Sequence, residues 1–152
     1  MLRRYLLAGF LICAAGSAWA QEREWLFDTG DEDAYLVFGV PETDDAGVSF
    51  ACTLQSGDIR LFVPEAGEEL KADQKITVTI LVGGKTFTYS ATTAPNEMSG
   101  STSAEAEIPA GDPIFADLRK ADRFEIRTST EDNIFPLEGA DFDSLVRACT
   151  KG

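Results

Sequence analysis

The chain has 152 residues, of which 26 are acidic and 13 basic, with no histidine and three cysteines, giving a formal charge of −13 at pH 7. An acidic excess of that size opposes binding to nucleic-acid phosphates and to anionic membrane surfaces. The missing histidine removes in one step the commonest general base, the Ser-His and Cys-His nucleophile pairs and the commonest zinc ligand.

Met1 to Ala20 carries the three parts of a secretory signal: basic Arg3 and Arg4, an apolar centre from Tyr5 to Ala15, and the small-x-small site Ala18-Trp19-Ala20. The expected organisation is a signal peptide over 1–20 followed by one β-rich domain over 21–152, delivered to the periplasm or the exterior. A lipid anchor on Cys13 is the rival reading, but Phe10-Leu11-Ile12 lacks the small residue needed before a lipidated cysteine. Beyond residue 20 no apolar run approaches the roughly 20 residues of a spanning helix, so no membrane insertion is expected after signal removal. Loss of Arg3 and Arg4 leaves 11 basic residues against 26 acidic ones. That is a charge of about −15, a solubilising excess compatible with a cationic partner.

Two cysteines then remain, Cys52 and Cys149, 97 positions apart. In an oxidising compartment a pair is expected to join, and closing a loop of that size stabilises by about 4.7 kcal/mol in the chain-entropy account. A redox role would want a short Cys-x-x-Cys spacing, which is absent.

In chain order, Glu24 to Phe27 reads as a first strand, followed by the acidic turn Asp28 to Asp33. Ala34 to Val40 is apolar on both faces and suits an inner strand. Pro41 to Gly47 is turn composition. Val48 to Leu54 alternates so that Val48, Phe50, Cys52 and Leu54 face the core, and Ile59 to Val63 returns as its hairpin partner. Pro64 to Gln74 is a polar connection with Leu70 as its apolar anchor. Ile76 to Val82, the turn Gly83-Gly84 and Lys85 to Ala91 form the clearest hairpin, because paired glycines admit the positive φ that a two-residue turn demands.

Thr92 to Ser103, rich in Thr, Ser, Asn, Pro and Gly, reads as an exposed, mobile loop. Ala104 to Pro109 is a short strand. Asp112-Pro113 starts a helix running to about Lys120, with Asp112 as cap, Phe115 and Leu118 buried, and Arg119 and Lys120 in the last turn. Arg123 to Thr128 and Asn133 to Leu137 are extended. Finally Phe142, Leu145, Val146 and Cys149 fall at i, i+3, i+4 and i+7 on a short helix capped by Asp141. The expected fold is mainly β: a single-domain β-sandwich or partly closed barrel of about seven or eight antiparallel strands with two short helices.

Chemistry is sparse. Ser49, Ser90, Ser99 and Ser101 have no activating context. Asp28, Asp31, Glu32 and Asp33, or Glu42, Asp44 and Asp45, would supply a two-carboxylate hydrolase only if folding brought a pair into a cleft. Asp31-Glu32-Asp33 and Asp44-Asp45 offer hard oxygens for calcium, but neither matches a calcium-loop pattern. Gly83-Gly84 lacks the Lys-Ser/Thr helix start of a phosphate loop. No catalytic, metal-binding or cofactor-binding residue is assigned, and the only site pair is the disulfide Cys52 with Cys149.

Phe38-Gly-Val-Pro-Glu-Thr-Asp-Asp45, Phe50-x-Cys52, Phe135-x-Leu-x-Gly-Ala140 and terminal Cys149 resemble a group of small exported bacterial proteins with one disulfide. More loosely, the order of Pro-rich bend, hairpin, short Leu-Arg helix and final Leu-x-Gly segment is similar to the invasion-associated protein B family, although further cysteines expected there are absent. Neither resemblance implies catalytic residues. The expected function is that of an exported, non-enzymatic β-domain binding a protein or small ligand through loops and sheet edges. A carboxylate-based glycan hydrolase and an acidic inhibitor or adaptor of a basic exported protein are the alternatives.

Overall fold

A computed structural model describes residues 22–67, 69–97 and 99–152. The signal segment expected over 1–20, with Cys13, lies outside them. The alternating stretches form β1 (Glu24–Thr29), β2 (Asp33–Gly39), β3 (Ala46–Thr53), β4 (Asp58–Val63), β5 (Lys75–Val82), β6 (Lys85–Asn96) and β7 (Ser101–Pro109). After these come α1 (Ile114–Leu118), β8 (Arg123–Arg127), β9 (Asp132–Pro136) and α2 (Phe142–Cys149).

All nine strands join one sheet in the order β1-β2-β3-β4-β7-β6-β5-β8-β9, and every neighbouring pair is antiparallel. The sheet curls into a half-barrel. The expectation of a mainly β, antiparallel fold with two short helices therefore holds, while two of its details do not. There is one curled sheet where a sandwich would have two, and nine strands where seven or eight were expected.

Part of the difference comes from Thr92 to Ser103. Read as a mobile loop, this segment instead extends β6 to Asn96 and begins β7 at Ser101, with Thr93, Thr102 and Ser103 buried. Its polar side chains are satisfied internally. The Thr93 hydroxyl donates to the Lys71 carbonyl at 2.6 Å and accepts the Gln74 N–H at 2.9 Å, while the Thr102 hydroxyl donates to the Leu70 carbonyl at 2.7 Å. β-branched threonines suit a pleated surface, and hydrogen bonding removes the cost of burying them.

The β5–β6 hairpin turns at Gly83 and Gly84, whose φ values of +58° and +77° are those a two-residue turn needs. A bulge at the end of β2 brings the chain close to itself: a Cβ on Gly39 would meet the Asp45 carbonyl oxygen, so glycine is required there.

The inner face of the sheet is apolar. Leu36, Phe50, Leu61, Ile80, Ile108 and Phe124 are buried on it, and α1 and α2 cover it with Phe115, Phe142 and Leu145. Phe142 ties the helices to the sheet, with its ring centroid 5.0 Å from Phe50, 5.8 Å from Trp25 and 6.1 Å from Phe115. Each large apolar side chain so buried contributes roughly 1.5–3 kcal/mol.

Helix α1 is shorter than the expected run to Lys120. It ends at Leu118, so Arg119 and Lys120 fall beyond its last turn, and its N-cap position is Pro113 rather than Asp112, whose carboxylate accepts the Ile114 N–H at 2.9 Å from one residue earlier. In α2, Asp141 accepts the Ser144 N–H at 2.9 Å, as its position predicts. The expected disulfide joins Cys52 to Cys149 with Cα atoms 5.8 Å apart. The β3–β4 turn adds to this closure, because Gln55 and Gly57 donate their N–H groups to the Ala148 and Cys149 carbonyls at 2.9 and 2.8 Å. Carbonyls at a helix end lack partners within the helix, and here the turn supplies them. No helix among the described residues is long and apolar enough to cross a membrane.

Candidate functional site

The half-barrel has two unlike ends. The helices, the disulfide and the β5–β6 turn occupy one. At the other, where β1, β3, β7 and β9 begin and β2, β4 and β6 finish, the sheet surrounds a cleft of about 370 Å³. That volume falls in the range of small-ligand sites.

Five separate segments meet at this cleft. Arg23 stands just before β1, Asp44 and Asp45 close the β2–β3 connection, and Phe62 to Glu65 end β4. Asn96 and Ser99 flank the β6–β7 turn, and Asn133 and Phe135 come from β9. Phe135 is buried and contacts Phe38 edge-on at 5.9 Å, so the floor is packed and aromatic. Two nitrogens of the Arg23 guanidinium converge on Asp45 Oδ1, the Nε contact being 3.0 Å. Both side chains are about half exposed, so this pair fixes geometry more than it stabilises.

The β2–β3 connection is itself tied down. Val40 donates its N–H to the Asp45 carbonyl at 2.9 Å, and the Thr43 hydroxyl donates to the Val40 carbonyl at 2.9 Å. Across the cleft, the Asn96 amide donates to the Pro64 carbonyl at 3.0 Å. Arg23 with Asp44, Asp45 and Glu65 places one cation and three carboxylates on the wall, a formal −2. A smaller hollow of about 180 Å³ shares Glu65, Ser99 and Asn133 and adds Glu131.

The structure separates the two acidic clusters singled out in the sequence. Asp44 and Asp45 line the cleft, whereas Glu42 is exposed in the connection at a φ of +61°. Asp28, Asp31, Glu32 and Asp33 lie exposed around the β1–β2 turn at the opposite end, where the Asp33 carboxylate accepts the Thr53 hydroxyl at 3.1 Å. Among the described residues, no three acidic or sulfur-bearing side chains converge as a metal site would require. Of the four serines, Ser99 reaches the cleft, and Ser101 lies in the neighbouring hollow with its oxygen 2.6 Å from that of Ser99. Arg23, Phe62, Asn96 and Asn133 belong to the site without any local signal, because only the curl of the sheet brings them together.

Two pKa shifts elsewhere are structural in origin. Burial first, then the charge of Asp112 and its hydrogen bond, push the Tyr89 phenol well above its ordinary range. The Ser144 backbone N–H holds the Asp141 carboxyl below its ordinary value.

No family model, curated protein or solved structure matches the chain.

Proposed function

We propose that this protein is an exported, non-enzymatic binding domain whose ligand seats in the cleft at the open end of the half-barrel. The observation that carries the reading is the cleft itself. It has an aromatic floor, a hydrogen-bonded rim and polar groups drawn from five segments, the pattern of a largely pre-formed ligand site. Export is supported by the signal-like Met1–Ala20 segment and by a disulfide that needs an oxidising compartment. The ligand is a small polar molecule or a projecting side chain of a protein, with cationic groups favoured by the formal −2 of the wall.

The test is an NMR screen of small amines, amino acids and sugars against the labelled chain. The expected result is saturable shifts at the Arg23, Gly47, Asn96 and Asn133 amides, lost in Ser99→Trp, which fills the rim from an exposed turn position. Saturable shifts confined to other surfaces, or none with any compound, would overturn the reading.

A second reading is kept because Asp44, Asp45 and Glu65 share one cleft: hydrolysis of a glycan by a carboxylate pair. Turnover of an oligosaccharide that is abolished by Asp44→Asn or Glu65→Gln, with binding retained, would replace the first reading by this one.

A further inference from the structure

A sheet of nine strands in which every neighbour is antiparallel has edge strands that run in the same direction. β1 and β9 therefore cannot be joined by the antiparallel ladder used everywhere else in this fold. Among the described residues no backbone ladder connects them. What crosses the seam is side chains: the Trp25 indole N–H donates to the Pro136 carbonyl at 2.7 Å and its ring packs on Phe124, while beneath them Phe38 packs against Phe135. A single strand running the opposite way between β1 and β9 would pair antiparallel with both and complete the barrel.

The two edges also share a chemistry. On the outer face β1 presents Glu24, Leu26 and Asp28, and β9 presents Asp132, 3.9 Å from Arg127 on β8, with Ile134 and Pro136. Three large apolar side chains are conspicuously exposed among the described residues, and two of them, Ile134 at 65% and Leu26 at 38%, belong to these edge strands. Each sits between residues that are acidic or, at Pro136, lack a backbone donor. The inner face of the same strands carries Trp25, Phe27 and Phe135, with Asn133 at the cleft end. Acidic residues at an edge discourage pairing with a second copy of the same chain, because that copy brings the same charges. They favour an incoming strand that is basic.

We propose that the seam between β1 and β9 accepts one extended segment of a basic partner protein, antiparallel to both edges. The segment has apolar residues facing inward and Lys or Arg facing outward on either side of an apolar residue. This is recognition by strand addition, in which main-chain hydrogen bonds supply affinity and alternate side chains supply specificity. The seam borders the cleft, with Phe135 common to both, but the proposal needs no ligand in the cleft.

The test uses the full chain with two end-capped peptides, Gly-Lys-Val-Ile-Val-Lys-Gly and its counterpart with Glu in place of Lys. Binding is read by titration and by amide hydrogen exchange. The basic peptide is expected to slow exchange in both β1 and β9, and the acidic one to bind at least tenfold more weakly at low salt. Glu24→Gln combined with Asp28→Asn and Asp132→Asn should weaken the basic peptide. Trp25→Phe, which keeps a ring in the core and releases the Pro136 carbonyl, should bind it roughly two- to tenfold more tightly, the worth of one hydrogen bond.

No slowing at either edge with millimolar peptide, slowing at one edge only, or equal binding of the two peptides would each overturn the proposal. So would a dimer of the chain itself held through the seam. If Trp25→Phe does not fold, the three carboxylate substitutions, all on exposed side chains, still decide the matter. Ser99→Trp should leave peptide binding unchanged, which separates this result from that of the cleft.

Discussion

The Tyr89 hydroxyl donates to Asp112 Oδ1 at 3.1 Å, and the same oxygen accepts the Ile114 N–H at 2.9 Å. One carboxylate oxygen thus ties the β5–β6 hairpin to the start of α1.

Tyr89→Phe should cost about 1 kcal/mol at neutral pH, the worth of the lost hydrogen bond. The phenol's value in the fold is raised, so the stability that depends on its proton is fully present below the unfolded value near 10 and is lost as pH rises toward the folded one. The phenylalanine variant has no such loss. Urea denaturation at stepped pH should show the deficit of the variant shrinking above about pH 10.

Asp141→Ala should destabilise by roughly 0.5–2 kcal/mol through loss of the α2 cap. Because the carboxyl is held below its ordinary value in the fold, its contribution is present above the unfolded value and disappears as pH falls through the folded one. The difference between wild type and Asp141→Ala should therefore collapse in acid, below the ordinary carboxylate range. Asp141→Asn, which still accepts the Ser144 N–H, should lose less and show a flatter dependence.

Thr93→Val keeps the shape of a fully buried side chain while stripping partners from the Lys71 carbonyl and the Gln74 N–H. The expected cost is about 1–3 kcal/mol, measured as a lower urea midpoint with an unchanged slope. Amide exchange of Gln74 should quicken beyond that of its neighbours. A loop threonine would show neither effect.

Cys149→Ser, Cys52→Ser and the double variant should lose the same 2–5 kcal/mol, since all three remove one covalent closure. Reductant should bring the wild type down to their level and leave them unaffected. Ligand binding in the cleft should survive in whatever remains folded, because the bond sits at the opposite end of the barrel. A variant with normal melting and lost binding would contradict that separation.

How far these features were legible follows from where their determinants lie. The β5–β6 hairpin and the capped helix α2 are local: alternation around Gly83-Gly84, and Phe142, Leu145 and Cys149 behind Asp141, specify them within a few residues. Thr92 to Ser103 was not legible, because the same Thr, Ser and Pro composition serves a surface loop and a threonine-lined strand. Only Lys71 and Gln74, arriving from a distant connection, distinguish the two. Ala66 is likewise fully buried inside what reads as a polar connection. In the candidate site, Asp44 and Asp45 are visible as a pair in the sequence, but Arg23, Phe62, Asn96 and Asn133 acquire their relation to them through strand order. A sandwich and a curled single sheet share the same alternation, so periodicity alone does not choose between them.

The bond between Cys52 and Cys149 makes a covalent ring of β4 through α2, with β1, β2 and most of β3 attached as a tail. A protease that cuts once within the ring, for instance at the turn before Gly100, leaves both fragments on one molecule. A cut before Cys52 instead releases the tail from covalent linkage. Electrophoresis of a nicked sample without reductant should therefore show an intact mass for ring cuts and two pieces for tail cuts. A single cut over most of the length thus leaves the pieces covalently joined, while a cut in the first strands does not.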